Sequence, residues 1–126
     1  MSDMTEIFGE PISRYTWDDA VNDGSFIDIT ECLKFLGLDS LFEDITGFAL
    51  TTNVYCRIID FDNADSKNIN ARISRLLVCV KKSVESQNDN YPIFFEYMGH
   101  SLIVSMEGRN METREPVLTI MLAEDY

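Results

Sequence analysis

Apolar residues at Ile69, Ile73, Leu76, Leu77, Val80 and Val84 recur at the 3.6-residue period, and this stripe constrains the fold most. It predicts a helix over about residues 66–85 with one face that must be buried against another layer. Asp62-Asn63-Ala64-Asp65 reads as a loop ending in a capping residue, and 86–90 as a polar linker. After Pro92 come three strand-like runs, at about 93–98, 102–106 and 117–122. Gly99-His100 signals a tight hairpin between the first two, and 108–115 a longer polar loop before the third. The expected fold class is therefore α+β. N-terminal short helices and the main amphipathic helix (about 66–85) pack on a C-terminal antiparallel meander (about 93–122).

The N-terminal half is built from shorter pieces. Residues 8–15, with Gly9 and Pro11, suggest an extended or looped start. Thr16 and Asp19 have the spacing of a capping box, opening a short helix that ends near Gly24. Residues 25–29 have strand composition. Thr30 then caps a second short helix, with Leu33 and Leu36 as apolar contacts and Gly37 at its stop. In the next segment Phe48, Tyr55, Ile58 and Ile59 fall near a helical stripe, while Thr51, Thr52 and Val54 favour strand. A helix over about 48–59 is the preferred reading. At 126 residues, with 45% apolar content, the chain is expected to be a single domain over 1–126 with a packed core.

Charge is distributed unevenly. Fourteen of the 22 Asp and Glu residues lie in positions 1–65 beside only Arg14, Lys34 and Arg57, a formal −11, and residues 66–126 carry the remaining −1. Such crowding opposes compaction, so it either serves solubility or meets a cationic partner. Trp17, Asp18, Asp19, Asp23, Asp28, Glu31, Asp39, Glu43, Asp44, Asp60, Asp62 and Asp65 are the candidate partner-binding residues. Carboxylates spaced along helix starts and loops can imitate the phosphate array of a duplex. Trp17, just inside a helix start beside Asp18 and Asp19, is the aromatic chosen as interface anchor, ahead of Tyr91, Tyr97 and Tyr126.

Other chemistry is weaker. His100, the lone histidine, sits in a predicted turn with no nucleophile or orienting acid at a recognisable spacing. In the segment 60–65 the glycine and glutamate of a calcium loop are replaced by Asp65 and Ala71, so no metal site is expected. Cys32, Cys56 and Cys79 lack metal or disulfide spacing and read as buried free thiols. Lys67, Arg72, Arg75, Lys81 and Lys82 spread around the polar arc of the main helix. They suit a solvated face, or a contact with the acidic half, better than direct nucleic-acid binding by a chain of net charge −12. No apolar run nears the roughly 20 residues of a membrane span, and the N-terminus has no secretory pattern. A cytoplasmic protein without cofactor or membrane contact is expected.

The two ends of the chain carry a resemblance. Ile7-Phe8-Gly9-Glu10, Ile12, Tyr15-Thr16, Ala20, Asp23-Gly24 and Ile27-Asp28-Ile29-Thr30 resemble the N-terminal signature of a family of small uncharacterised proteins, a domain of unknown function encoded largely by phages, plasmids and other mobile elements. Glu115-Pro116-Val117-Leu118-Thr119-Ile120-Met121-Leu122, then Glu124-Asp125, resemble its closing strand and acidic tail. Gly9 and Gly24 suit a turn and a helix end, and Ile12, Ile27 and Ile29 suit core contacts. The family brings no catalytic or ligand residues. The resemblance implies a setting in which compact acidic proteins inhibit host defence, as anti-CRISPR and anti-restriction proteins do. The expected function is non-enzymatic binding to the basic surface of a host nucleic-acid-binding complex, in the host cytoplasm. The alternative is a self-assembling structural or accessory protein, a homodimer formed through exposed strand edges or the main helix.

Overall fold

The computed structural model describes residues 15–42, 44–110, 112 and 115–126. The expected extended start at 8–14, including Gly9 and Ile12, and Glu43 lie outside the described residues.

The chain forms a mixed α+β structure in which helices pack on a five-stranded mixed sheet. Helix α1 (Trp17–Asn22) leads to β1 (Phe26–Asp28) and α2 (Thr30–Phe35), followed by a 3₁₀ turn at Asp39–Phe42 and β2 (Gly47–Thr51). Helix α3 (Thr52–Val54) continues as a π-helical turn at Tyr55–Ile59, and α4 (Ser66–Ser86) is the long helix. Strands β3 (Ile93–Tyr97), β4 (His100–Gly108) and β5 (Pro116–Leu122) complete the sheet, and a 3₁₀ turn at Ala123–Asp125 follows.

Local signals explain most element starts. Thr16 and Asp19 close a reciprocal capping box on α1. Asp65 caps α4, its side chain accepting from the Asn68 N–H. Thr30 is the first residue of α2 and not its cap. Its N–H and hydroxyl both donate to Asp28, and its hydroxyl accepts from the Phe48 N–H at 3.0 Å. Thr30 thereby ties α2 to β2.

The sheet order is β1-β2-β5-β4-β3. The β3-β4-β5 portion is the expected antiparallel meander, with Met98 and Gly99 as the two turn residues and His100 already in β4. Beyond it β5 pairs in parallel with β2, and β2 antiparallel with β1. The helix expected over 48–59 is therefore corrected. Its first four residues belong to β2, and Thr51 caps the helix that follows. Phe48, Ala49 and Leu50 are all buried, as in a strand covered on both faces, so no polar alternation marks the segment.

The two faces of the sheet are packed differently. On one, Phe48, Leu50, Leu102, Val104, Leu118 and Ile120 meet Ile73, Leu76, Leu77, Val80 and Val84 of α4, with Leu33, Val54 and Ile58 from the other helices. On the other, Trp17 packs on Ala49 and Val117, with Val21 and Phe26 at the margin. Gly47 lies against this second cluster and the Arg109 guanidinium. A Cβ there would stand 2.9 Å from Val117 Cγ1 and 3.0 Å from the Trp17 ring, so the close approach of α1 to β2 requires glycine.

Candidate partner-binding surface

The expected carboxylates divide into groups with different duties. Asp18, the second residue of α1, is paired. Arg109 approaches it at 3.5 Å and Asn110 donates to it at 2.8 Å. Arg109 also reaches Glu115 at 3.6 Å, donates to the Thr46 carbonyl and lies 5.0 Å from the Trp17 ring centroid. Asp19 accepts from the Thr16 N–H within the capping box, and Asp23 accepts from the Tyr15 hydroxyl and the Ser25 N–H. The Tyr15 hydrogen bond, with those of Ser25, holds the Asp23 carboxyl below the usual carboxylate range.

Asp28 is engaged by Thr30, and Glu31 lies 3.4 Å from Lys34. At the start of α4, Asp60 accepts from the Ala64 N–H and Asp65 from the Asn68 N–H. Asp62 pairs with Arg72 at 2.9 Å, which also donates to the Ile59 carbonyl and stacks on Phe61. That hydrogen bond lowers the Asp62 carboxyl, and it joins Arg72 of the long helix to the acidic half, one of the two readings given for those cations.

Asp39 and Asp44 stand apart. Among the described residues neither makes an ion pair or a side-chain hydrogen bond, and both are exposed. Asp39 opens the 3₁₀ turn and Asp44 follows it, and the turn separates two clefts. One cleft, of about 330 Å³, is lined by Thr30, Leu33, Phe42, Ile45 and Phe48, with Lys34 and Asp39 among its walls. The second, of about 430 Å³, is lined by Phe42, Asp44, Ile45, Val84 and Met106, with Lys81, Asp89 and Tyr91 at its sides. Phe42 lies in the wall of both, buried against Phe48 with ring centroids 5.1 Å apart. Lys81 is turned to Phe42 and Glu85. Burial pushes the Tyr91 hydroxyl above its ordinary pKa.

The structure thus does not gather the predicted acidic residues into one surface. Asp18, Asp19 and Asp23 accompany α1 on the opposite side of the sheet from α4. Asp60, Asp62 and Asp65 sit at the N-terminus of α4, whereas Asp44 lies beside Lys81 and Val84, roughly 25 Å further along the helix at 1.5 Å per residue.

Two further expectations are corrected. Trp17 is 1% exposed, its Nε1 donating to buried Thr119 Oγ1 at 3.0 Å. Its ring packs against the sheet and is not offered to a partner. Cys56 is exposed, while Cys32 and Cys79 are half-buried.

The phenylalanines divide between core and surface. Phe35 is 80% exposed and Phe94 55%, the latter edge-on to Tyr126 at 6.2 Å. The sequence reading missed Phe42, Ile45 and Met106 as cleft residues, and no local signal marks them, because one cleft forms where α4 and β4 meet the turn and the other where α2 and β2 do.

No three His, Cys, Asp or Glu side chains among the described residues are grouped to hold a metal ion. No helix of the described residues is long and apolar enough to cross a membrane. No family model, curated protein or solved structure matches the chain.

Proposed function

We propose that this chain is a non-enzymatic acidic binding protein of phage or other mobile-element origin, acting in the host cytoplasm. It docks on the basic surface of a host nucleic-acid-processing or defence complex, of the kind that anti-CRISPR and anti-restriction proteins inhibit, and keeps DNA or RNA away from it. The docking surface is the ridge formed by residues 39–42, 44 and 45 with its two clefts. One observation carries this reading. Among the described residues Asp39 and Asp44 make no ion pair, although Lys34 and Lys81 line the same clefts, whereas Asp18 and Asp62 are paired with Arg109 and Arg72. Apolar anchors entering the clefts supply affinity, and the two carboxylates supply steering and choice of partner. The imitation of a phosphate backbone is then local to the ridge.

A pulldown with tagged protein from a nuclease-treated bacterial lysate tests this at low and high salt. A basic nucleic-acid-binding protein is expected to be retained at low salt and released at high salt, as screening of exposed charge requires. The double variant Asp39→Lys/Asp44→Lys should lose it, and Asp19→Lys/Asp23→Lys should keep it. Equal retention by the ridge variant overturns the proposal.

A further inference from the structure

The two edges of the sheet are unlike. The β1 edge is three residues long and carries Asp28, two devices that discourage strand addition. The β3 edge is longer, its one carboxylate, Glu96, accepts from Ser101 of β4, and among the described residues no strand pairs with it. Its backbone orientation follows from the hairpin. Met98 and Gly99 have φ of 51° and 79°, a two-residue turn whose flanking pair Tyr97–His100 is hydrogen-bonded. Alternation then directs Phe95 and Ile93 toward β4, and the N–H and C=O groups of Phe94 and Glu96 outward. The Gln87 side-chain amide confirms this direction by donating to the Phe94 carbonyl from outside the sheet at 2.8 Å.

We propose that the β3 edge is a self-association surface, on which a second copy of this chain pairs antiparallel about a two-fold axis at Phe95. In that register Phe94 lies opposite the partner's Glu96, Phe95 opposite the partner's Phe95 and Ile93 opposite the partner's Tyr97. Four backbone hydrogen bonds form, the two Gln87 amides are displaced, and no like charges oppose one another. Phe94 and Met98, 55% and 63% exposed, gain cover at the seam.

Charge favours this edge over any other. Strands β3 and β4 and helix α4 belong to the half of formal charge −1, while α1, β1, α2 and β2 carry the acidic half at the far end of the sheet. Ten strands at about 4.8 Å put the two β1 edges roughly 43 Å apart, several screening lengths at physiological salt. A chain of net charge −12 can therefore pair with itself here, presenting two acidic ends outward. This inference stands apart from the ridge proposal.

Sedimentation equilibrium of the full chain over a wide concentration range tests it. Wild type is expected to reach the mass of a dimer. Glu96→Pro removes an outward N–H from each copy and should weaken the dimer roughly tenfold or more. Gln87→Ala removes the competing amide and should tighten it several-fold. Circular dichroism reports whether each variant folds; if Glu96→Pro does not, Gln87→Ala decides. A wild-type chain monomeric throughout overturns the proposal, as does a dimer indifferent to both substitutions.

Discussion

The two faces of the sheet use different means to do the same thing. The face under α4 is sealed by a broad set of apolar contacts running from Ile73 to Val84 and across β2, β3, β4 and β5, so that the packing is shared among many side chains. The face under α1 depends on one large ring, one buried hydrogen bond from Trp17 to Thr119, and one arginine that covers the ring and closes on Asp18. Distributed packing makes the first face robust. Concentrated packing makes the second specific, and it draws Asp18 and Arg109 into structural work. The comparison teaches that acidity here is not one resource: carboxylates near α1 and the α4 N-terminus build the fold, and those on the ridge are left over for something else.

Substitutions can break the comparison in graded steps. Trp17→Ala should cost about 3 to 5 kcal/mol in chemical denaturation, because it empties the centre of the smaller cluster and strands Arg109. Leu77→Ala, in the broad cluster, should cost about 2 to 5 kcal/mol but toward the lower end, since Leu76, Val80 and their neighbours can close in. A larger loss for Leu77→Ala than for Trp17→Ala would reverse the contrast.

Thr119→Val preserves shape and removes the acceptor of the Trp17 Nε1 hydrogen bond. It should cost about 1 to 3 kcal/mol, the penalty of a buried donor left unmet, and shift the melting temperature down accordingly.

The smallest effect concerns pH. Arg72 holds the Asp62 carboxyl below its unfolded value, so the pair contributes stability above about pH 4 that is lost as pH falls through the folded pKa. Asp62→Asn should flatten that acid limb by lowering the neutral plateau slightly, since Asp62 is half-exposed, and should leave stability below the folded pKa unchanged. An acid limb of unchanged slope would show that other carboxylates set it.

Much of this fold can be read from the sequence where the signal is local. The stripe from Ile69 to Val84 announces α4, Thr16 and Asp19 announce α1, and Asp65 announces a cap, because each rests on neighbours within one helical turn. Strand β2 escapes for a physical reason. Phe48, Ala49 and Leu50 are buried on both faces, and the strand runs without a break into Thr52–Val54, so the helix periodicity of the later residues extends backward over it. The site is less legible still. That Asp18 is quenched depends on Arg109, 91 residues away, and Trp17 is buried by a partner 102 residues away. Asp39 and Asp44 look no different in sequence from Asp18 and Asp62; only the fold separates occupied carboxylates from unoccupied ones.

Titration calorimetry against the purified host protein captured by the wild-type chain tests the central claim most directly. The neutralised ridge variant Asp39→Asn/Asp44→Asn should bind roughly tenfold more weakly or worse, about 1.4 kcal/mol, and Asp19→Asn/Asp23→Asn should bind within about twofold of wild type. Equal losses from the two pairs, or none from the ridge, would contradict it and return the acidity to a general, solubilising role.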